Sequence, residues 1–418
     1  MSQVKSFSIH AFTIIFNAAI SFATFSVLTH HLNEVDYGII NLYTSFIVFL
    51  TPFIGIGAQF TIGIDYFKME ASAFRHHFTN VIAIPFLSFI VFTLLTFLLS
   101  GYIKGFVHVN YFFTIVIPFV SLLSVVNDIV LTLIRDQGKH RLFAIYAISK
   151  NLLEISFTLL FVVVLNYNWQ GRLASGFLSY VSVLIFTVYL LRKWKFFTGK
   201  FKKAELLKNF TIGLPFVPER LAIFILGYSD RIFINHYQGI GDVGFYSAGA
   251  QVAMIVSLGI SALNNTFYPS IYRKLSEPVP NVAEIKKIVF VFISVITVVT
   301  ISVVLATPIL FKYFIGPRFQ AGKEYACYLT IGLFFWGIYN VFLPFLLYIK
   351  KNRLVMFISV FGTCLSLGIN FFNIKHFGAI GATYTSMIVY FVMAATTIFF
   401  VCKYYNLNNA FKNYMRTI

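Results

Sequence analysis

In a chain of 418 residues, 59% are hydrophobic and only 11% charged, whereas a soluble domain is about a quarter charged. So few charges cannot cover a water-facing surface, which excludes a soluble enzyme or binding module and makes lipid the solvent. The net charge of +18 would suit a nucleic-acid binder, but in a chain of lipid-length apolar runs it reads as Lys and Arg gathered on loops on one side of a membrane, with no nucleic-acid partner.

Taken in chain order, the apolar runs predict about twelve transmembrane helices, at 9–30, 39–63, 79–101, 109–134, 142–166, 173–191, 209–234, 243–270, 288–311, 324–349, 354–373 and 378–402. The first run is too long for a cleavable signal, and no small-residue cleavage site follows it. An even number of spans puts both termini on one side. Loops on that side carry 23 Lys and Arg against 6 on the other, so the termini are expected in the cytoplasm. Every loop on the outer side is short, which opposes a membrane-embedded glycan polymerase. Cys327, Cys364 and Cys402 fall in or beside apolar runs and read as packing residues. The pairs His30–His31 and His76–His77 fall at loop edges and read as solvated. Neither a phosphate loop, a metal-ligand spacing nor a nucleophile triad stands out, so no catalytic or metal-binding residue is assigned.

The longest basic loop, RKWKFFTGKFKKAELLK (192–208), divides the chain near its middle. The halves echo each other. Asp36-x-Gly38 matches Asp242-x-Gly244 at an offset of 206, Arg141-Leu142 matches Arg353-Leu354 at 212, and WQGRLAS (169–175) matches FGAIGAT (377–383) at 208. Three matches in order at nearly one offset predict a parallel repeat of two six-helix lobes around a central cavity. The expected organisation is an N-terminal lobe (1–195), a basic cytoplasmic linker (196–208), a C-terminal lobe (209–402) and a cytoplasmic tail (403–418). Transporters of parallel repeats bind substrate near the midplane and alternate access by rocking their lobes.

Ionisable residues inside spans are costly and tend to line cavities. Here they are Asp128, Lys150, Glu154, Glu219, Arg220, Asp230 and Arg231, with Asp65 at the cytoplasmic end of the second span. Arg220 and Arg231 are eleven residues apart, which on a helix separates them by about 20° in azimuth and about 16 Å in height. Gly213 and Gly227 flank Arg220 on the same stripe and leave room for something to approach the backbone. Pro215 and Pro218 should kink or break the helix. The neighbours Asp230 and Arg231 point about 100° apart and should not pair along the helix. Lys150 and Glu154 share a face one turn apart, which fits either a self-neutralising pair or a cavity role. In the first span Thr13, Asn17, Ser21 and Thr24 form a polar stripe, with Asn17 and Ser21 expected to line the cavity or to pack on another helix.

LGYSDRIFINHYQGIGDVGFYSAGAQVAMIVSL (226–258) resembles the hallmark segment of polysaccharide transporters, the Wzx-type O-antigen flippases of the multidrug/oligosaccharidyl-lipid/polysaccharide superfamily. HLNEVDYGIINLY (31–43), LIRDQGKHRLFAI (133–145), NTFYPSIYRKLSE (265–277) and HFGAIGATYTSMI (376–388) are similar to further family segments, in the same order. The resemblance implies a non-enzymatic protein of the bacterial inner membrane that moves undecaprenyl-pyrophosphate-linked oligosaccharide units from the inner to the outer leaflet. A polysaccharide polymerase and a chain-length regulator would be its partners. It needs no cofactor beyond a coupling ion, H+ or Na+. Basic cavity residues of the family are thought to meet the pyrophosphate, a role that falls by position to Arg220, Arg231 and Lys150. Glu154, Asp230, Glu219, Asp65 and Asp128 are then candidates for coupling or gating. A cation-coupled drug antiporter of the same superfamily is the alternative, but it would want an acidic cavity.

Overall fold

The computed structural model describes residues 3–196, 199–278 and 281–405, with side chains from Ile9 onward. Among the described residues, helices are joined by short turns and loops. The helices are α1 (Gln3–His31), α2 (Glu34–Gly55), α3 (Ala58–Tyr66), α4 (Ala71–Leu98), α5 (Ser100–Val107), α6 (Tyr111–Asp136), α7 (His140–Thr158), α8 (Asn168–Lys193), α9 (Lys203–Gly213), α10 (Phe216–Tyr237), α11 (Ile240–Leu275), α12 (Val282–Tyr313), α13 (Gly322–Tyr348), α14 (Asn352–Phe377) and α15 (Ala379–Tyr405). A π-helical stretch, Leu159–Val164, continues α7. Eleven helices are long and apolar enough to cross a bilayer, and α9 with α10, bent by 41° at their junction, makes up to twelve.

The second predicted span is not continuous. Asn33 caps α2 by accepting from the Asp36 amide at 2.7 Å, and Glu34 and Asp36 place negative charge on its first turn, so the helix starts early. It ends at Ile56 and Gly57, both left-handed (φ 37° and 67°). The cause is a crossing: a Cβ on Gly213 would lie 1.9 Å from the Ile56 carbonyl oxygen, and one on Gly57 would lie 2.7 Å from the Gly213 carbonyl oxygen. Two backbones meet there with no side chain between them. The break expected at Pro215 is present, and it falls beside this crossing, between Gly213 and Phe216.

Two compact units are formed, residues 1–224 and 225–418. Their helices pair in the same scheme. In the first, α6 packs on α2, α4 and α8, and α7 on α8; in the second, α13 packs on α11, α12 and α15, and α14 on α15. The boundary lies inside α10 and not in the basic loop, because part of that loop is docked on the first unit. Buried Asn80 of α4 accepts from the Lys202 amide at 2.8 Å, and its own amide group donates to the Lys200 carbonyl and the Glu205 carboxylate. Phe196 sits against Phe74 and Phe78. The segment expected as a linker (196–208) is thereby pinned in part, and α9 and the first part of α10 belong with the N-terminal helices.

Two smaller expectations also change. Cys364 and Cys402 are exposed on α14 and α15, so only Cys327 is even half-buried. His77 is largely buried and faces Asp65 at 2.9 Å, whereas His76, His30 and His31 are exposed.

Candidate substrate-binding cavity

Lys150 and Glu154 lie one turn apart on α7, and their ammonium and carboxylate groups pair. Beyond Thr158 the helix widens into the π stretch, and Asn166 and Asn168 take left-handed backbone (φ 55° and 46°), which turns the chain back into α8. Gly171 lets α8 lie on that stretch, since a Cβ there would sit 3.0 Å from the Phe161 backbone. The next residue, Arg172, is thus delivered to the second oxygen of Glu154. It also donates to the Thr158 hydroxyl at 3.3 Å, which is hydrogen-bonded to Ser175 at 3.0 Å.

This triad opens onto a cavity of about 360 Å³ within the first unit, whose lining also includes Thr44 and Thr51 of α2, Ser124 of α6, Tyr180 of α8 and Arg220 of α10. The Lys150 ammonium stands 4.5 Å over the Tyr180 ring, and the Arg220 guanidinium 4.8 Å over the Phe60 ring. Among the described residues, Arg220 has no carboxylate within ion-pairing distance. Three cations therefore face one carboxylate, and the lining is net positive. A smaller cavity of about 70 Å³ adjoins, lined by Arg220 with Asp128 and Gln59. Such a set can hold a multivalent anion by charge-assisted hydrogen bonds from several directions.

Of the residues expected from sequence, Lys150, Glu154 and Arg220 come together here, and Asp128 lies next door. Lys150 and Glu154 combine the two roles weighed for them: they pair, and they line the cavity. Arg231 is elsewhere, 8% exposed inside the second unit. It donates to the Gly227 carbonyl at 2.9 Å, to the Ser247 hydroxyl at 3.2 Å and to Asp230 at 3.2 Å, and Asp230 also accepts from the Tyr246 hydroxyl. The two neighbours do pair, contrary to the helical-wheel argument. Arg231 folds back along α10 to the carbonyl four residues earlier, and α11 supplies Tyr246 and Ser247 to fix both groups. Glu219 is exposed and lines neither cavity, and Asp65 is engaged with His77. Asn17 is half-buried and Ser21 exposed, and neither lines these cavities. Thr13 and Thr24 bond back to carbonyls of their own helix.

Arg172 is the residue the sequence reading missed. It fell one position before the predicted start of its span and was counted with the outer loops, whereas α8 begins at Asn168. The available signal was Glu154 itself, an acid in an apolar run with one cation on its own helix.

Residues 3–274 match the family model described as polysaccharide biosynthesis protein. A Haemophilus influenzae protein described as Lsg locus putative protein 1 is 29% identical over 234 residues, 53% of this chain and 58% of the relative. An uncharacterized membrane protein of the same organism is 25% identical over 145 residues, 35% of this chain and 36% of that one. The chain thus spans less than two thirds of the length of the curated relatives it matches. Among solved structures, an inward-facing multidrug resistance MATE family transporter of the MOP superfamily superposes with TM-score 0.76 at 13% identity, over 93% of this chain and 95% of that one. Lipid II flippase MurJ in an inward closed conformation gives 0.71 at 13% identity, over 96% and 87%. Identities this low speak for fold alone. The chain is an all-helical, multi-pass membrane protein with the MOP transporter fold, and it belongs to the polysaccharide biosynthesis protein family.

Proposed function

We propose that this protein is a flippase for undecaprenyl-pyrophosphate-linked oligosaccharide units, moving them by alternating access from the inner to the outer leaflet of the bacterial inner membrane for O-antigen or a related surface glycan. The observation that carries the reading is the net-positive cavity of the first unit, in which Arg220 has no acidic partner and Lys150 and Arg172 share one carboxylate. A pyrophosphate has the charge and the several acceptor oxygens to engage all three. The lipid tail would remain in the bilayer. An inside-negative membrane potential would favour outward movement of the anion by about 2.3 kcal/mol per charge per 100 mV.

The drug-antiporter alternative wants a free carboxylate for a cationic substrate. Among the described residues, the one carboxylate that lines the cavity of about 360 Å³ is already held by two cations, which favours the anionic substrate. An anion that drew Lys150 and Arg172 away would release Glu154 to take an H+ or Na+, and coupling would then sit in the same cavity.

The test is surface-glycan assembly in a strain dependent on this protein. Arg220→Ala and Lys150→Ala are each expected to reduce it at least about tenfold at normal protein level, the loss of one charge-assisted contact. Full assembly by both variants would overturn the reading. Arg231→Ala should act differently, lowering the amount of folded protein because it opens the buried Asp230 network.

A further inference from the structure

The basic loop after α8 is left unexplained by the transport reading. Where it leaves the helix it borders a third cavity, of about 530 Å³, formed where the ends of α3, α6 and α8 meet the start of α4. Arg75, Lys193 and Lys195 line it, with Gln137 among them, and among the described residues no carboxylate does. Phe74 and Phe196, both buried, make its floor, and Trp194 and Tyr66 add aromatic walls. Of the acids on adjoining turns, Asp65 faces His77 at 2.9 Å and Asp136 pairs with Arg135 at 3.3 Å, while Glu70, between the lining residues Met69 and Ala71, is exposed and does not line the cavity. Among the described residues neither Arg75 nor Lys193 has an acid within ion-pairing distance.

The positive charge is also crowded. The Lys139 ammonium stacks 4.3 Å over the Trp194 ring, and burial together with the nearby Lys193 charge pushes its pKa down. Lys195 takes left-handed backbone (φ 58°) as α8 ends, with its amide bonded to the Arg192 carbonyl and the Phe196 amide to the Leu191 carbonyl, a Schellman turn in which glycine is the favoured residue. The turn is held rigidly, since Thr79 and Asn80 fix the backbone just beyond it.

We propose that this cavity is a lipid site, taking the phosphate of an anionic phospholipid head group from the leaflet on the side of the basic loops. Cations clustered at the ends of membrane-length helices, beside aromatic walls, are the chemistry that recognises a lipid phosphodiester. A soluble phosphate would satisfy the same cations, but it has no acyl chains to draw it to the end of an apolar bundle. The site lies apart from the transport cavity, and its proposal is independent of the substrate carried.

The test uses the full chain in phosphatidylcholine nanodiscs with or without phosphatidylglycerol, read by thermal unfolding and by native mass spectrometry of retained lipid. Phosphatidylglycerol should raise the wild-type Tm and remain bound. Arg75→Gln with Lys193→Gln should weaken its binding about tenfold or more while keeping the Tm seen in phosphatidylcholine alone. Lys195→Gly, which suits the left-handed turn, should weaken binding with no loss of fold, and so covers the case in which the double variant misfolds. Lys286→Gln with Lys287→Gln, an equal charge loss at exposed sites on α12, should leave binding intact. The proposal is overturned if the cavity variants retain lipid as the wild type does, if the α12 control loses as much, or if inorganic phosphate alone reproduces the shift in phosphatidylcholine.

Discussion

At Glu154 one carboxylate answers two cations, each on a side chain less than a fifth exposed. In a low-dielectric setting this makes Glu154 the group that renders Lys150 and Arg172 tolerable while the cavity holds no anion. Removing one partner of a buried ion pair leaves an uncompensated charge and costs about 3–5 kcal/mol. Glu154→Ala should therefore lower Tm markedly, and inorganic pyrophosphate, by supplying the missing negative charge, should restore part of the loss. Thermal unfolding with and without pyrophosphate checks this, and a variant as stable as the wild type would remove Glu154 from that role. Lys150, Glu154 and Arg220 were legible in the sequence because each is an ionisable residue deep in an apolar run. Arg172 was not, because hydropathy blurs the edge of a span and only the turn through Asn166 and Asn168 carries it back to Glu154. Arg231 looked equivalent to Arg220 on a helical wheel, yet Ser247, sixteen residues on, accepts from it, and Tyr246 fixes its partner Asp230.

At the scale of elements, the breaks in the second and seventh spans are one feature. Pro215 announced the second of them. The first had Pro52, Gly55 and Gly57 as local signals, but Ile56 is a β-branched residue that disfavours left-handed backbone. Its conformation is imposed by the crossing of Gly213 over the Ile56–Gly57 peptide. Gly213→Ala would drive a methyl group into the Ile56 carbonyl, and neither backbone can yield without moving its helix. A destabilisation of about 3 kcal/mol or more is expected, seen as loss of folded protein in detergent by fluorescence-detected size exclusion. Gly227→Ala serves as the control, since a Cβ there meets nothing within 4 Å; normal yield from both variants would show that the close crossing is not required. The same element, α10, holds Arg220 in the first unit and Arg231 in the second, so two residues on one helix serve different surroundings.

For the whole molecule, the bias of Lys and Arg toward one set of loops predicts that both termini face the cytoplasm. A fluorescent protein that matures only in the cytoplasm, fused after Ile418, should be bright, and a periplasm-active phosphatase at the same point should be inactive; the reverse pattern would invert the topology. By itself the sequence determined the solvent, the approximate number of spans and the six-span repeat, because apolar length and loop charge are properties summed along the chain. The helix pairing α2–α6, α4–α6, α6–α8 and α7–α8 recurs as α11–α13, α12–α13, α13–α15 and α14–α15, as the offsets near 208 implied. Only the tertiary structure decided that the basic loop is clamped by Asn80, that the units divide within α10, and which charges meet in a cavity. Those outcomes depend on side chains from helices remote in sequence arriving within hydrogen-bond reach, and a one-dimensional pattern carries no record of which helix crosses which.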